Sequence, residues 1–267
     1  MNSRSMRNTM KTVNINALVS VIIPAYNCEK YIEKAICSVL DQTVKNIEII
    51  VIDDCSTDNT WKVITTIAES DSRVHIYKNQ KNLGVVETRN RAMSLCHGTF
   101  IALLDGDDFW YENKLECQLK LQAETKADLV YCSYAIVDEN DRKQCKDFIV
   151  PDYTNLEMTL EQSVISCSTA MFRRGIADKY CFKKNYYHED LVFWIDILKD
   201  GAVARGTKEI LAAYRMLPNS RASNKLNSAV NRYKIMHGYL GYSICDSLKI
   251  IAGFAVKALD KYKRTCI

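Results

Sequence analysis

The feature that most constrains the fold of this chain is the alternation of two hydrophobic patterns between residues 18 and 135. Runs of β-branched and other apolar residues, typical of buried strands, alternate with segments whose apolar residues recur at helical spacing. The predicted strands cover residues 18–23, 47–52, 74–77, 99–104 and 129–134, and the predicted helices cover 29–41, 58–68, 85–96 and 114–124. This order predicts an α/β fold with a mainly parallel, twisted sheet flanked by helices.

The pattern loosens after residue 135. We predict strands at 168–172 and 208–216, a helix at 189–199 and a helical tail at about 226–264. The chain is therefore divided into a disordered polar lead (1–17), one α/β domain (18–220) and a helical C-terminal extension (221–267).

Composition excludes several classes of protein. The net charge is only +4, from 36 basic and 32 acidic residues, which argues against nucleic acid as a partner. The eleven cysteines lack zinc-site spacing, and no stretch of 18 residues is apolar and uncharged enough to span a membrane. The polar N-terminal segment has no signal-peptide pattern, so we expect reduced thiols and a cytoplasmic location.

Acidic residues follow the predicted strands where those strands end. Asp105, Asp107 and Asp108 follow the strand at 99–104, Asp53 and Asp54 follow an earlier strand, and the segment Ala-Tyr-Asn at 25–27 follows the first strand. The carboxyl ends of parallel strands share one edge of a sheet, where ligands bind. Two carboxylates about 4 Å apart repel by roughly 4 kcal/mol at an effective dielectric constant of 20. A Mg²⁺ or Mn²⁺ ion, itself bound to a phosphorylated ligand, would reverse that repulsion.

These segments have two other interpretations. Aspartates after strands can simply form turns and cap helices, although three such strand ends in one chain favour a ligand site. The glycine patterns GxGxxG and GxxxxGK[ST] are absent, which disfavours a dinucleotide oxidoreductase and a P-loop enzyme.

Five segments together carry a family resemblance: 19–27, 50–58, 82–90, 104–108 and 188–190. In this order and spacing they resemble family 2 glycosyltransferases of the GT-A fold. The resemblance implies an inverting transferase that uses a nucleotide-diphosphate sugar, here a UDP-hexose, with Mn²⁺ or Mg²⁺. It also implies a nucleotide-binding half at about 18–110 and an acceptor half at about 111–220. The Gln-x-x-Arg-Trp motif of processive synthases is absent, which favours single addition over polymerisation.

The resemblance assigns roles to individual residues. Asp190 is expected to be the general base, and Asp107 and Asp108 compete for the metal. Cys55 stands where the family commonly has glycine. The residues expected to bind the donor are Pro24, Ala25, Tyr26, Asp54, Gly84, Arg89, Asn90, Asp105, Asp107 and Arg215.

The residues themselves leave alternatives open at four positions, Asp190, Glu189, Trp110 and Arg215. Glu189 and Asp190 begin an apolar helix. Both could simply be acids that interact favourably with the helix dipole, or Asp190 could be the base and Glu189 could contact the acceptor. Trp110 follows the acids and could face an acceptor sugar or lie in the core. Arg215 could bind a diphosphate or remain solvated.

The sequence also leads to expectations about the C-terminal extension and the partners. Apolar residues at helical spacing from Ile244 to Leu259, followed by a basic end, fit either an interfacial helix or a helix packed on the domain. Many bacterial members of the family act on undecaprenyl-diphosphate-linked sugars in O-antigen or capsule assembly. We therefore expect a saccharide acceptor of that kind and peripheral contact with the inner face of the cytoplasmic membrane.

Two other functions fit the sequence less well. A sugar-phosphate nucleotidyltransferase would need a glycine-rich basic loop after the first strand, where this chain has Pro-Ala-Tyr-Asn. A non-catalytic nucleotide-sugar binding module would be expected to lack Asp190 or the acids at 105–108, and all of them are present.

Overall fold

The structure, a computed structural model, describes residues 17–217 and 225–265. Within these residues one sheet contains nine strands. The strands are β1 Val19–Ala25, β2 Ile47–Asp53, β3 Val74–Lys78, β4 Phe100–Leu103, β5 Phe109–Trp110, β6 Leu129–Val137, β7 Tyr153–Thr154, β8 Met171–Arg173 and β9 Ala204–Arg215. The α-helices are α1 Ile32–Leu40, α2 Thr60–Ser70, α3 Val85–Ser94, α4 Lys114–Thr125, α5 Leu156–Glu161, α6 Arg174–Ala177, α7 Glu189–Lys199, α8 Lys225–Tyr233 and α9 Ile244–Thr265.

The strand order is β3-β2-β1-β4-β8-β6-β9-β5, and β7 pairs with β9. The first four strands are mutually parallel, as the alternating sequence pattern predicts. The other part of the sheet is mixed, because β8 runs antiparallel to both β4 and β6 while β6 and β9 are parallel. The α/β fold is confirmed, and the parallel arrangement holds in the half where helices connect successive strands.

Burial explains why the first half forms this sheet. Every residue of β2 is buried, and in β1 only Pro24 is not fully covered, as expected for strands with helices on both faces. Helix α1 buries Ile32, Ala35, Ile36 and Val39, which recur at helical spacing and pack in the main core.

The structure differs from the sequence prediction mainly after residue 135. Ser168, predicted to begin a strand, lies in a 3₁₀ helix at Cys167–Thr169, and β8 begins only at Met171. Strand β9 begins at Ala204, four residues earlier than predicted, and β5, β7, α5 and α6 were not predicted. These elements are two to six residues long, too short to show a hydrophobic period.

The C-terminal extension is helical, as predicted, but it is not one helix. Helix α8 continues into a π-helix at Lys234–Tyr239, and α9 begins after a break in which Gly241 has a φ of +74°. The predicted disordered lead lies outside the described residues, except for Ala17. No helix among the described residues combines the length and the apolar character needed to cross a membrane.

Candidate active site

The parallel register brings the predicted strand ends together at one edge of the sheet. Ala25 at the end of β1 pairs with Asp53 at the end of β2, and β4 lies on the other side of β1. The backbone at Gly106 approaches β1 so closely that an added Cβ would stand 3.1 Å from the Pro24 carbonyl oxygen. The loops after β1, β2 and β4 therefore meet where ligands bind in open parallel sheets.

Asp54 organises the loop that precedes α3. Its carboxylate is 3% exposed and accepts hydrogen bonds from Asn79 Nδ2 at 2.7 Å, the Leu83 amide at 2.9 Å and the Gly84 amide at 2.8 Å. Gly84 has a φ of +87°, a conformation that favours glycine. An ionised carboxylate offers about four acceptor positions, so these three bonds leave room for a further donor from a ligand.

Tyr26 lies in the loop after β1 and is about half exposed to solvent. The Asp54 amide donates to the Ala25 carbonyl at 2.8 Å, which fixes the first loop against the second. Tyr26 is 49% exposed, whereas Ala25 is buried and Pro24 is half-buried. An exposed aromatic residue in a loop that is hydrogen-bonded to the loop of Asp54 suits the binding of a planar nitrogen heterocycle.

The three acids after β4 have different surroundings. Asp108 is 2% exposed, and both of its carboxylate oxygens accept hydrogen bonds, from Ser168 Oγ at 2.5 Å and from the Arg215 amide at 2.8 Å. Burial and the charge of Asp107 raise the pKa of Asp108 well above its ordinary value. Asp108 thus joins the loop to the 3₁₀ helix and to β9, which does not fit a metal ligand.

Asp107 is half-buried, and no side chain of the described residues donates a hydrogen bond to its carboxylate. Burial and the charge of Asp105 raise the pKa of Asp107 to about 6. A hard oxygen donor in this position fits Mg²⁺ or Mn²⁺. No cluster of three His, Cys, Asp or Glu side chains in the described part of the chain could hold a metal ion, so further ligands would have to come from a bound phosphate or water.

Arg89 joins the donor side of the site to helix α7. It is 5% exposed, and its guanidinium contacts Asp105 Oδ1 at 2.5 Å and Glu189 Oε1 at 3.0 Å. Although burial opposes the charge, Asp105 and Glu189 keep the pKa of Arg89 well above its ordinary value. Arg89 is thus a buried bridge between two carboxylates rather than a group exposed to a ligand.

Asp190 stands in the first turn of α7, half-buried, next to this bridge. Its Oδ1 accepts a hydrogen bond from the Leu191 amide at 2.8 Å. Burial and the charge of Glu189 raise the pKa of Asp190 to about 6, while Arg89 opposes the shift. A carboxylate with this pKa is ionised at neutral pH and able to take up a proton.

Asn90 and Arg215 do not have the surroundings expected of donor ligands. The Asn90 side chain forms two hydrogen bonds with the Phe182 backbone, at 2.8 and 2.9 Å. Arg215 is 2% exposed and donates to the Asp107 carbonyl at 2.7 Å and to Asp141 Oδ1 at 2.6 Å. Both side chains hold backbone segments of the site in place, because all of these partners belong to the protein.

Trp110 does not fit the predicted acceptor role. It is 3% exposed, its Nε1 donates to the Ser168 carbonyl at 2.7 Å, and the Lys114 ammonium lies 3.8 Å from its ring centre. Its ring therefore lies in the core, the alternative that the sequence left open. Sequence reasoning missed Ser168 and Asn79, which orient Asp108 and Asp54, because these polar contacts join distant parts of the chain.

Comparison with known proteins identifies the family of this chain. The model of the family described as "Glycosyl transferase family 2" matches residues 20–181. The chain belongs to glycosyl transferase family 2. It is therefore an enzyme of the glycosyltransferase class, as the resemblance implied.

Two curated relatives span most of the chain. TuaG of Bacillus subtilis, named as a glycosyltransferase of teichuronic acid biosynthesis, is 35% identical over 81% of this chain and 86% of its own. WfaP of Escherichia coli is 34% identical over 92% of this chain and 95% of its own. WfaP is named as a UDP-Glc:α-D-GlcNAc-diphosphoundecaprenol β-1,3-glucosyltransferase.

Solved structures establish the GT-A fold. Staphylococcus aureus TarS (1–349) with UDP-GlcNAc has a TM-score of 0.70 and 20% identity, over 89% of this chain and 71% of that one. The mannosyltransferase PcManGT of Pyrobaculum calidifontis, solved with GDP-Man and Mn²⁺, has a TM-score of 0.66 and 16% identity, over 88% of this chain and 68% of that one. Enzymes of this fold commonly use a divalent metal ion.

Proposed function

We propose that this chain transfers a hexose, with inversion, from a UDP-sugar to a hydroxyl group of a saccharide linked to a lipid diphosphate. The observation that carries the proposal is a pair of half-buried carboxylates, Asp107 and Asp190. Neither forms an ion pair with any described residue, whereas their neighbours Asp105 and Glu189 share Arg89. Two acids without ion-pair partners, each close in sequence to a carboxylate that binds the buried Arg89, suit donor activation and proton removal.

Asp190 acts as the base in this proposal. The acceptor hydroxyl must lose a proton as it attacks the anomeric carbon, and a carboxylate within hydrogen-bond reach can take it. Inversion needs a single displacement with one base and no covalent sugar–enzyme intermediate. The position of Asp190 at the N-terminus of α7 stabilises its anionic form through the helix dipole.

Asp107 would hold Mn²⁺ or Mg²⁺, the metal implied by the family. When bound, the ion would stabilise negative charge on the departing diphosphate. The protein's own residues bind the other end of the donor: Tyr26 stacks on the base, and Asp54 accepts a hydrogen bond from it. Asp108, Arg215 and Ser168 hold the loop that carries Asp107.

The choice of donor and acceptor is supported by the relatives. WfaP is named for UDP-glucose and a GlcNAc-diphosphoundecaprenol acceptor, and TarS was solved with UDP-GlcNAc. We extend this chemistry to the present chain and place it in the assembly of a bacterial surface polysaccharide such as an O-antigen or a capsule. The nucleotidyltransferase and the non-catalytic binding module find no comparable support.

Calorimetry with UDP, with and without Mn²⁺, tests the donor site. We expect Mn²⁺ to tighten UDP binding in the wild type and in Asp108→Asn, and not in Asp107→Asn. UDP that binds equally well without metal, or an Asp107→Asn variant that keeps the gain, would contradict the metal site. Release of UDP from UDP-glucose with a GlcNAc-diphosphate lipid tests transfer, with Asp190→Asn as the inactive control.

We also propose that α9 contacts an anionic lipid surface. Ile244 and Leu248 are both 56% exposed and lie on the same face, whereas the polar Ser247 is fully buried. The sequence continues with Lys257, Lys261, Lys263 and Arg264. Two exposed apolar residues on one face of a helix, with basic residues following in the sequence, suit a membrane interface at the cytoplasmic face.

Sedimentation with lipid vesicles tests this contact. We expect binding to vesicles that contain phosphatidylglycerol, weaker binding to pure phosphatidylcholine, and loss of binding in Leu248→Asp. The control is Val203→Asp, since Val203 is 39% exposed on the loop before β9. Equal binding of both variants and the wild type would contradict the role of α9.

A further inference from the structure

The segment of α8 and the π-helix, Lys225–Tyr239, packs against the helix that carries Asp190. We call this segment the C-terminal brace. Ile235 and Met236 of the brace are fully buried in one apolar cluster with Leu191, Val192 and Ile195 of α7. The brace lies outside the matched family region at 20–181 and beyond the predicted domain boundary at residue 220, yet it covers one face of α7.

Polar contacts from the brace fasten the residues that lead into Asp190. We call residues 181–188 the base strap. Asn231 Oδ1 accepts a hydrogen bond from the Tyr187 amide at 2.7 Å, and Ser228 Oγ forms a hydrogen bond with His188 Nε2. These two bonds lie three and two residues before Asp190, so they set where α7 begins.

A third contact holds the beginning of the strap. The Tyr239 hydroxyl donates to Asp196 Oδ1 at 2.5 Å, and Lys183 Nζ contacts Asp196 Oδ2 at 2.7 Å. Lys183 also contacts the Tyr239 hydroxyl. The base strap is thus fixed to the brace at its start and its end.

Arg232 lies in the brace as a buried cation. It is 4% exposed, donates to the Leu160 carbonyl at 2.7 Å and stacks over the Phe254 ring at 3.5 Å. Burial lowers its pKa to about 10, and the charge of Asp190 opposes that shift, so Arg232 remains charged at neutral pH. No carboxylate of the described residues lies within ion-pair distance of it, so its hydrogen bond to Leu160 and its contact with Phe254 are what join the brace to α5 and α9.

We propose that Asn231 and Arg232 are positioning residues of the transfer reaction. Asn231 fixes the strap, and Arg232 fixes the brace to α5 and α9 through the Leu160 carbonyl and the Phe254 ring, so that the Asp190 carboxylate is held in the geometry that the attacking hydroxyl needs. The inference rests on the proposed role of Asp190 as the base. It predicts that the C-terminal extension is required for turnover and not for binding of the nucleotide.

Paired substitutions separate positioning from folding. Asn231→Ala removes the acceptor of the Tyr187 amide, whereas Asn231→Asp keeps an oxygen there. Arg232→Met removes the charge and keeps much of the side-chain length, whereas Arg232→Lys keeps the charge. Lys249→Met is the matched control, because it removes a charge from an exposed position of the same extension.

The measurements are kcat and KM for UDP release from UDP-glucose, and the calorimetric affinity for UDP. We expect Asn231→Ala and Arg232→Met to lower kcat by about 10–100-fold, since small displacements of a catalytic group cost this much, with UDP affinity within about twofold. Asn231→Asp and Arg232→Lys should recover most of the lost kcat, and Lys249→Met should match the wild type.

Two results would overturn the inference. One is an unchanged kcat in Asn231→Ala and Arg232→Met. The other is a parallel loss of kcat and UDP affinity that the conservative variants fail to restore, since this indicates a structural role alone. If the wild type binds UDP but does not glycosylate the GlcNAc-diphosphate lipid, the proposed acceptor is wrong. The inference is then tested on the hydrolysis of UDP-glucose, a slower reaction in which water replaces the acceptor hydroxyl and Asp190 is again the base.

Discussion

Removal of the Arg89 charge should destabilise this protein far more than the loss of an ordinary salt bridge. Arg89 neutralises Glu189, whose side chain is 5% exposed, and Asp105, whose side chain is 30% exposed. Loss of one partner of a buried ion pair typically costs 3–5 kcal/mol, because a charge remains buried without compensation. Asp105 can regain some hydration, so most of the penalty falls on Glu189. We expect Arg89→Met to lower the free energy of unfolding by about 3 kcal/mol, near the lower end of that range.

Urea unfolding followed by circular dichroism measures this loss at pH 7.5. The double variant Arg89→Met with Glu189→Met is the informative partner, because it removes both buried charges of the pair. We expect the double variant to recover stability relative to Arg89→Met alone, since a buried ion pair can often be replaced by apolar residues at little cost. A loss below about 1 kcal/mol in Arg89→Met, typical of an exposed pair, would refute the reasoning.

Four further predictions follow from other parts of the molecule. First, kcat/KM should fall as the pH drops through about 6, because Asp190 must be ionised to act as a base, and a pH–rate profile measures this limb. Second, hydrogen bonds to Glu48 outweigh burial and lower its pKa in the folded state, so its contribution to the free energy of unfolding is present above about pH 4.5 and is lost at lower pH. Urea unfolding should therefore show Glu48→Gln less stable than the wild type at pH 7, and the difference should shrink below about pH 4. Third, Cys55 has a φ of +62°, so Cys55→Gly should raise the unfolding free energy by about 1 kcal/mol, and an unchanged urea midpoint would contradict this. Fourth, a Cβ on Gly206 would stand 2.2 Å from the Pro151 carbonyl oxygen, so Gly206→Ala should lower stability by about 3 kcal/mol in thermal or urea unfolding, and a loss below 1 kcal/mol would argue against the close approach.

The sequence was sufficient to predict the first half of the fold because that half is specified locally. Each strand is a short apolar run, each connecting helix has its own period, and parallel strands joined by helices place their carboxyl ends at one edge. The meeting of Ala25, Asp53 and Gly106 follows from that topology alone. Cys55, which stands where the family commonly has glycine, has a φ of +62°, a conformation that favours glycine.

The polar contacts of the site could not be predicted in this way. Arg89 and Glu189 are 100 residues apart, and Ser168 and Asp108 are 60 apart. Whether an arginine faces a ligand or a buried carboxylate depends on which distant segment packs against it, and hydrophobic periodicity carries no information about that choice. For this reason the sequence left open whether Arg215 and Trp110 contact a ligand, whereas the structure buries both side chains among protein partners.

The arrangement of the carboxylates explains how this site tolerates so much negative charge. The guanidinium of Arg89 compensates Asp105 and Glu189, and hydrogen bonds from Ser168 and the Arg215 amide satisfy Asp108. Only Asp107 and Asp190 are half-buried, have no ion-pair partner among the described residues and have a pKa raised to about 6. A fold that neutralised every acid would leave nothing to bind a cation or to accept a proton. Because the chain compensates the neighbours of these two acids and not the acids themselves, the incomplete compensation marks the two positions at which we place the chemistry.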